Sequence, residues 1–365
     1  MKQFAIFMIF TIFSISCFTL KVTAIDIKDI DNDGKTGIPE AIYALKVVAE
    51  MHELHLEFSE SPVDLQGISA KFVENIAYDE KKRTYFDIWL PESSRPTGLV
   101  IYIHGGGFKS GDKKGVRSSF KQEIRTFLEN KIAFASINYS LLEPFGQESE
   151  GVIKSLKDSK RAIQFIKYYA RSFNINKDKI MLSGGSAGAG TSLWIAFNDD
   201  LEEPNNPDPV LRESTRVSGV AVRETQATYD LERWVYDVFV DYPNITLEEL
   251  LKDRENSFLQ FYGLSSKDAY HTPEMINYRD RVDMLDLMSK DDPPIWVSNI
   301  NNAVVYPRNT GLLYHHAYHA RELKERADAL GIENVISYGK EPSFFPDPVR
   351  PDETWAEFCI RILGR

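Results

Sequence analysis

The stretch Lys179 to Gly190, K-I-M-L-S-G-G-S-A-G-A-G, reads as a short apolar strand that ends in glycines and restarts as a small-residue helix. At its centre is a G-x-S-x-G pattern, with Ser186 between Gly184 and Gly188. A serine on a sharp strand-to-helix turn takes a strained backbone conformation, so its neighbours two residues away must lack bulk. The helix start adds partial positive charge and free N–H groups, which an acyl-transfer oxyanion requires. The pattern predicts that Ser186 is an exposed nucleophile.

A second motif precedes it, where an apolar strand over 98–103 runs into His104-Gly-Gly-Gly107. Glycines there let a loop pass close to a reacting carbonyl and point main-chain N–H groups at it. With both motifs in this order, the chain from about Ile68 onward resembles the α/β-hydrolases, specifically the esterase and lipase group with an H-G-G-G loop. The resemblance implies oxyanion donors at Gly106, Gly107 and Ala187. A glycine-rich turn that merely packs is the alternative.

The rest of the chain from residue 61 to 365 alternates strand-like and helix-like patterns, which predicts an α/β fold. We expect a mostly parallel, doubly wound sheet, with catalytic groups on loops at the carboxyl ends of its strands. About seventy residues separate the strands predicted at 217–222 and 294–300, and this stretch is rich in aromatic residues. The resemblance implies that the insertion, about 225–290, is a helical cap over the active site.

The N-terminus predicts export and calcium binding. Residues 1–24 have the apolar run and small-residue end of a signal peptide, with lipid anchoring at Cys17 as an alternative. Within 25–60 lies an EF-hand or dockerin-like loop, which predicts a structural Ca²⁺ and no cofactor for catalysis. An acidic turn that caps a helix is the other interpretation. The predicted calcium ligands are Asp29, Asp31, Asp33, Lys35 and Glu40.

The expected partners of Ser186 are missing from their usual places. In the resembling family the acid follows the seventh strand, where this chain has Asn302, and the histidine follows the last strand, where residues 339–365 contain none. The Y-H-H-A-Y-H stretch after the seventh strand offers His315 or His316 as base, with a narrow preference for His316. Glu224, directly after the sixth strand, is the best-placed acid.

The histidines also allow other interpretations. His315 and His319 on one helix face could bind a metal, or all three histidines of this stretch could simply be satisfied at a helix start. His271, in the insertion, is the fallback base.

The sequence therefore predicts an exported serine carboxylic ester hydrolase that acts through an acyl-enzyme on Ser186, with a non-standard base. The alternative is a catalytically degenerate hydrolase that binds a ligand without turnover. We expect a small-molecule or carbohydrate-linked ester as substrate. The formal net charge of -11 disfavours nucleic acid as a partner, and membrane association is expected only with lipidation.

Overall fold

The computed structural model describes Ile38 and residues 53–365. The predicted signal peptide and the five predicted calcium ligands lie outside the described residues. Residues Leu54–Arg365 form one compact unit. No helix in the described ranges has the length and apolar character needed to cross a membrane.

A single nine-stranded sheet organises this unit. Its strand order is β1-β2-β4-β3-β5-β6-β7-β8-β9. The strands β2 and β4 pair in antiparallel fashion, as do β1 with β2 and β8 with β9, whereas every pair from β4 to β8 across the centre is parallel. The strands are β1 (Ala70–Ala77), β2 (Tyr85–Pro91), β3 (Thr97–Ile103), β4 (Ile132–Ile137), β5 (Ile175–Gly185), β6 (Gly219–Arg223), β7 (Ile295–Asn299), β8 (Asn334–Lys340) and β9 (Ser343–Phe345).

Helices cover both faces of the sheet. In chain order the α-helices of the described part are α1 (Val116–Ser119), α2 (Lys121–Glu129), α3 (Ile153–Tyr168), α4 (Ala187–Phe197), α5 (Leu231–Arg233), α6 (Leu247–Leu251), α7 (Glu255–Tyr262), α8 (Pro273–Asp280), α9 (Met284–Leu287), α10 (Thr310–Tyr314), α11 (Ala317–Leu330) and α12 (Trp355–Leu363). Side chains alternate across β3, so that Leu99 and Ile101 join a core with α3, α4 and α11, while Val100 joins a second core with α2 and α12. Two buried faces explain why the central strands are continuous apolar runs.

The stretch between β6 and β7 folds into the five short helices α5 to α9. It has a small core of its own, in which Phe258, Leu259, Tyr262, Tyr270 and Met275 pack together. A buried ion pair between Arg279 and Asp230 holds α8 to the start of α5. The mostly parallel sheet with helices on both faces confirms the predicted fold class.

Candidate active site

The serine turn lies at the carboxyl edge of the sheet, where β5 ends and α4 begins. Ser186 has φ 54° and ψ −121°, a left-handed conformation that L-residues rarely adopt. A Cβ atom at Gly184 would lie 2.4 Å from the main-chain carbon of Gly188, and one at Gly188 would lie 2.0 Å from the carbonyl oxygen of Ile103. Both glycines of the pattern are therefore required by close backbone contact, which is the reason predicted from the sequence.

The H-G-G-G loop passes beside this turn. Gly106 has φ +111°, and a Cβ there would lie 2.2 Å from the carbonyl oxygen of Ser110. Within the described ranges, the N–H groups of Gly106 and Gly107 donate no hydrogen bond. Ala187 opens α4, and the first N–H groups of a helix have no acceptor within it. Gly107 and Ala187 border the same cavity as Ser186.

His104, the first residue of the H-G-G-G loop, is fixed by contacts with Tyr139 and Gly105. Its ring stacks on Tyr139 with centroids 4.4 Å apart, and the Tyr139 hydroxyl donates to the His104 carbonyl at 2.8 Å. The Nδ1 atom lies 2.7 Å from the Gly105 carbonyl oxygen. Burial lowers the pKa of His104, so its ring is held neutral as a structural part of the loop.

His315 is the histidine that reaches the serine. Its Nε2 atom lies 2.9 Å from the Ser186 hydroxyl oxygen, within hydrogen-bond reach. The residue sits at the end of α10, in the two-residue link to α11. Burial lowers its pKa below the ordinary imidazole value, which keeps Nε2 free to accept a proton at neutral pH.

The narrow preference for His316 is wrong, because both nitrogens of that ring are used by the main chain. His316 is the N-cap of α11: its Nδ1 accepts from the N–H of Tyr318 at 3.1 Å, and its Nε2 donates to the Val305 carbonyl at 2.8 Å. Burial lowers the pKa of His316 to about 4. The side chain points back along its own helix and anchors the loop that precedes α10.

His319 is likewise structural. Its Nδ1 accepts from the N–H of Ala227 at 3.2 Å and its Nε2 donates to the Leu313 carbonyl at 3.0 Å. Full burial lowers its pKa to about 3. Neither nitrogen is left for a metal, so a metal site at His315 and His319 is excluded, and the described residues contain no other cluster of metal-ligating side chains. The fallback base, His271, is exposed and lies 3.4 Å from Glu232 in the insertion.

Glu224 lies near His315 but does not touch its ring. Its carboxylate accepts from the side-chain amides of Asn301 at 2.9 Å and Asn302 at 2.7 Å. The same Asn302 amide donates to the main-chain carbonyl of His315 at 2.7 Å. The expectation that Glu224 orients the imidazole directly is therefore wrong: its contact runs through Asn302 to the backbone. Burial raises the pKa of Glu224.

A cavity of about 310 Å³ opens above the serine. Gly107, Ser186 and Ala187 form its floor, and Leu313 and Tyr314 of α10 form part of one side. Its apolar wall comes largely from the insertion and includes Leu231, Trp234, Leu250, Phe258 and Phe261. A largely apolar cavity of this size has room for a small organic group.

Tyr229 is a supporting residue that the sequence analysis did not single out. Its hydroxyl donates to the Ala187 carbonyl at 2.8 Å and fixes the first turn of α4. A Cβ at Gly190 would lie 2.2 Å from that hydroxyl. The repeated glycine in A-G-A-G was the sequence signal for this contact. A glycine inside a helix often marks a place where a larger side chain packs closely against the helix.

Comparison with known proteins identifies the family of the chain. The BD-FAE family model matches residues 86–297, more than half of the chain, so the chain belongs to the BD-FAE family of α/β-hydrolase esterases. Over 145 residues it is 30% identical to a venom carboxylesterase-6 of Apis mellifera, a match that covers 38% of this chain and 24% of that protein. The matched stretch is thus about a quarter of the length of that relative.

Solved structures share the fold at low sequence identity. A truncated carbohydrate esterase from gut microbiota matches with a TM-score of 0.56 and 16% identity, over 86% of this chain and 99% of that one. A bifunctional GH43-CE protein of Bacteroides eggerthii matches with a TM-score of 0.53 and 17% identity, over 80% of this chain and 38% of that one. At such identities the likeness speaks for the α/β-hydrolase fold alone.

Proposed function

We propose that the protein is a serine carboxylic ester hydrolase with a Ser186–His315 pair as its reacting groups. The observation that carries the proposal is the 2.9 Å approach of His315 Nε2 to the Ser186 hydroxyl, on the floor of an apolar cavity. Family membership supports the reaction class, since BD-FAE relatives are esterases.

The proposed reaction has two steps. The Ser186 hydroxyl attacks the ester carbonyl while His315 Nε2 takes its proton, and the N–H groups of Gly106, Gly107 and Ala187 stabilise the oxyanion. His315 then gives the proton to the leaving alcohol, and a water molecule, activated in the same way, releases the acid from the acyl-enzyme.

The pair works without a carboxylate on the far side of the ring. None of the described residues forms a hydrogen bond with His315 Nδ1, and burial is the cause of the lowered pKa. Helix α10, the His316 cap and the Asn302 bond to the His315 carbonyl hold the base in place instead. We expect turnover below that of a full triad, because no anion stabilises the imidazolium that forms.

The test compares wild type with Ser186→Ala and His315→Gln on p-nitrophenyl acetate and butyrate. Each variant should lose at least about a hundredfold in kcat, the range expected for loss of a general base or its nucleophile. His271→Gln is the matched control, because it removes an exposed imidazole that does not reach the serine. Wild-type turnover equal to that of Ser186→Ala on every ester would refute the hydrolase and favour a ligand-binding protein.

The setting of this activity is part of the same proposal. Residues 1–24 would direct export, the loop over 29–40 would hold a structural Ca²⁺, and a lipid at Cys17 would be the one route to membrane attachment. The carbohydrate esterase among the structural neighbours supports a small or carbohydrate-linked ester as substrate, and the acidic charge disfavours nucleic acid.

A further inference from the structure

Two cationic side chains, Lys109 and Arg254, stand in the wall of the largely apolar cavity. Lys109 follows the H-G-G-G loop, and Arg254 precedes helix α7 of the insertion. The chain as a whole is acidic, with 43 lysines and arginines against 54 aspartates and glutamates. Positive charge at the site is therefore not a reflection of the general composition.

Both cations are held in place by neutral groups. Lys109 Nζ donates to the Ser257 hydroxyl at 2.9 Å. Arg254 Nε donates to the Thr310 hydroxyl at 3.1 Å, and its Nη1 donates to main-chain carbonyls at 3.1 and 3.4 Å. Arg254 and Ser257 are three residues apart at the start of α7, a spacing that brings side chains together on one face. The two positive charges thus converge on one part of the wall.

Neither cation has a carboxylate partner among the described residues. The Nη2 atom of Arg254 donates no hydrogen bond there, and no ion pair joins Lys109 or Arg254 to an acid. Asp253 borders the same cavity, but it is exposed, also borders the neighbouring cleft and pairs with neither cation. Counting its charge, the wall keeps one net positive charge.

Arg254 is half-buried and has no acidic partner among the described residues, so its guanidinium is available to an anionic ligand. Lys109 is an exposed side chain, and the part of it that is buried lowers its pKa. A planar carboxylate fits the free edge of a guanidinium, and a charge-assisted bond of this kind is stronger than a neutral one.

We propose that the cavity selects esters that carry a carboxylate a few bonds from the scissile carbonyl, and that Arg254 and Lys109 form the subsite for that carboxylate. The inference rests on the proposed hydrolase function and narrows its substrate class. The carboxylate belongs either to the acyl group, as in a dicarboxylic half-ester, or to the alcohol, as in an ester of a hydroxy acid or an acidic sugar.

The experiment uses two matched substrate pairs at low salt, followed by proton release at constant pH. The acyl-side pair is monomethyl glutarate and methyl valerate, which differ in a terminal carboxylate against a methyl group. The alcohol-side pair is acetylglycolate and acetylglycolamide. We expect at least about a tenfold higher kcat/KM for the charged member of one pair, and the pair that shows it identifies the source of the carboxylate. Salt should reduce the ratio, because it screens the attraction.

Variants assign the preference to its residues. Arg254→Gln and, separately, Lys109→Gln should bring the charged-to-neutral ratio towards one. Lys252→Gln is the matched control: it removes a charge two residues from Arg254, on an exposed side chain that pairs with Glu249 at 3.8 Å and lines only the neighbouring cleft, and it should keep the ratio. Circular dichroism confirms that each variant is folded.

The outcomes separate the two proposals. A wild-type ratio near one in both pairs, or a preference for the neutral esters, overturns the subsite even if both esters are hydrolysed. If no ester is hydrolysed, the hydrolase proposal fails, and calorimetric titration of the same pairs into Ser186→Ala decides the subsite by itself. Tighter binding of a charged member, lost in the Ser186→Ala, Arg254→Gln double variant, supports it; equal affinities refute it.

Discussion

Replacing Asn302 by Asp would restore the residue type that relatives place after the seventh strand, yet we expect it to damage the site. The Asn302 amide donates to Glu224 Oε2 and to the His315 carbonyl, both at 2.7 Å. An aspartate in the same rotamer would turn an oxygen towards each of these acceptors. Two bonds that hold the base would become two repulsive contacts.

The size of the effect follows from the geometry. Two carboxylates 2.7 Å apart would repel by roughly 6 kcal/mol at an effective dielectric constant of about 20. Protonation of one carboxylate removes this repulsion. For a carboxyl group with an ordinary pKa near 4, that protonation costs about 4 kcal/mol at pH 7. Protonation costs less than the repulsion, so the carboxyl groups at positions 224 and 302 of the Asn302→Asp variant should share one proton at pH 7. The variant should then be less stable than wild type by about 4 kcal/mol at pH 7 and by about 1 kcal/mol at pH 5.

The destabilisation caused by Asn302→Asp should increase as the pH rises. Repulsion raises the folded-state pKa of the shared pair above its unfolded value, so the destabilisation is absent below about pH 4 and grows as pH rises. Urea unfolding between pH 4.5 and 8 measures it, together with p-nitrophenyl acetate turnover. Asn302→Ala loses the same bonds without a charge and should show a smaller loss with no such slope.

A second change completes the test. Adding Glu224→Gln to Asn302→Asp removes one of the two charges and should recover most of the lost stability at pH 8. An Asn302→Asp protein that is as stable as wild type at pH 8, or that turns over faster, would show that position 302 faces the imidazole and that the described network is wrong.

Three further predictions concern the base, its loop and the calcium segment. The acid limb of kcat should lie below pH 6.5, because burial lowers the pKa of His315 and the base works only when neutral; a limb above pH 7 would contradict this. His316→Ala should lower the free energy of unfolding by about 2 to 4 kcal/mol in urea, since two buried main-chain groups lose their partners, while kcat falls less than in His315→Gln. Asp33→Ala and Glu40→Ala should abolish the calcium-dependent rise in melting temperature but leave ester turnover nearly intact; a parallel loss of turnover on chelation would instead place a metal in the catalytic domain.

The tight turn at Ser186 and the course of the H-G-G-G loop beside it could be predicted because both depend on local backbone geometry. Gly184 and Gly188 are needed by atoms a few residues away or in the adjacent strand, and short-range steric needs leave a fixed pattern in the sequence. The central strands were equally accessible, since burial on two faces makes them continuous apolar runs. Strand β4 (Ile132–Ile137) is such a run, with all six residues buried.

The histidine that contacts Ser186 lies in the Y-H-H-A-Y-H stretch singled out from the sequence, but it is His315 and not the preferred His316. The helix after this stretch begins at Ala317, which makes His316 its N-cap, and an N-cap side chain turns back to its own helix. That rule leaves His315 as the outward-facing histidine. The role of Asn302 could not be predicted, because it depends on Glu224 approaching from another strand across 78 positions of sequence.

The strained backbone conformation of Ser186 affects which substitutions natural selection would favour at this position. A non-glycine residue with φ 54° carries strain of about 1 to 3 kcal/mol, which glycine at the same position would relieve. A protein that only binds a ligand would gain stability from Ser186→Gly and lose nothing by it. Random mutation offers that exchange continually, because serine and glycine share neighbouring codons. A serine in this strained conformation is therefore expected where its hydroxyl contributes to function.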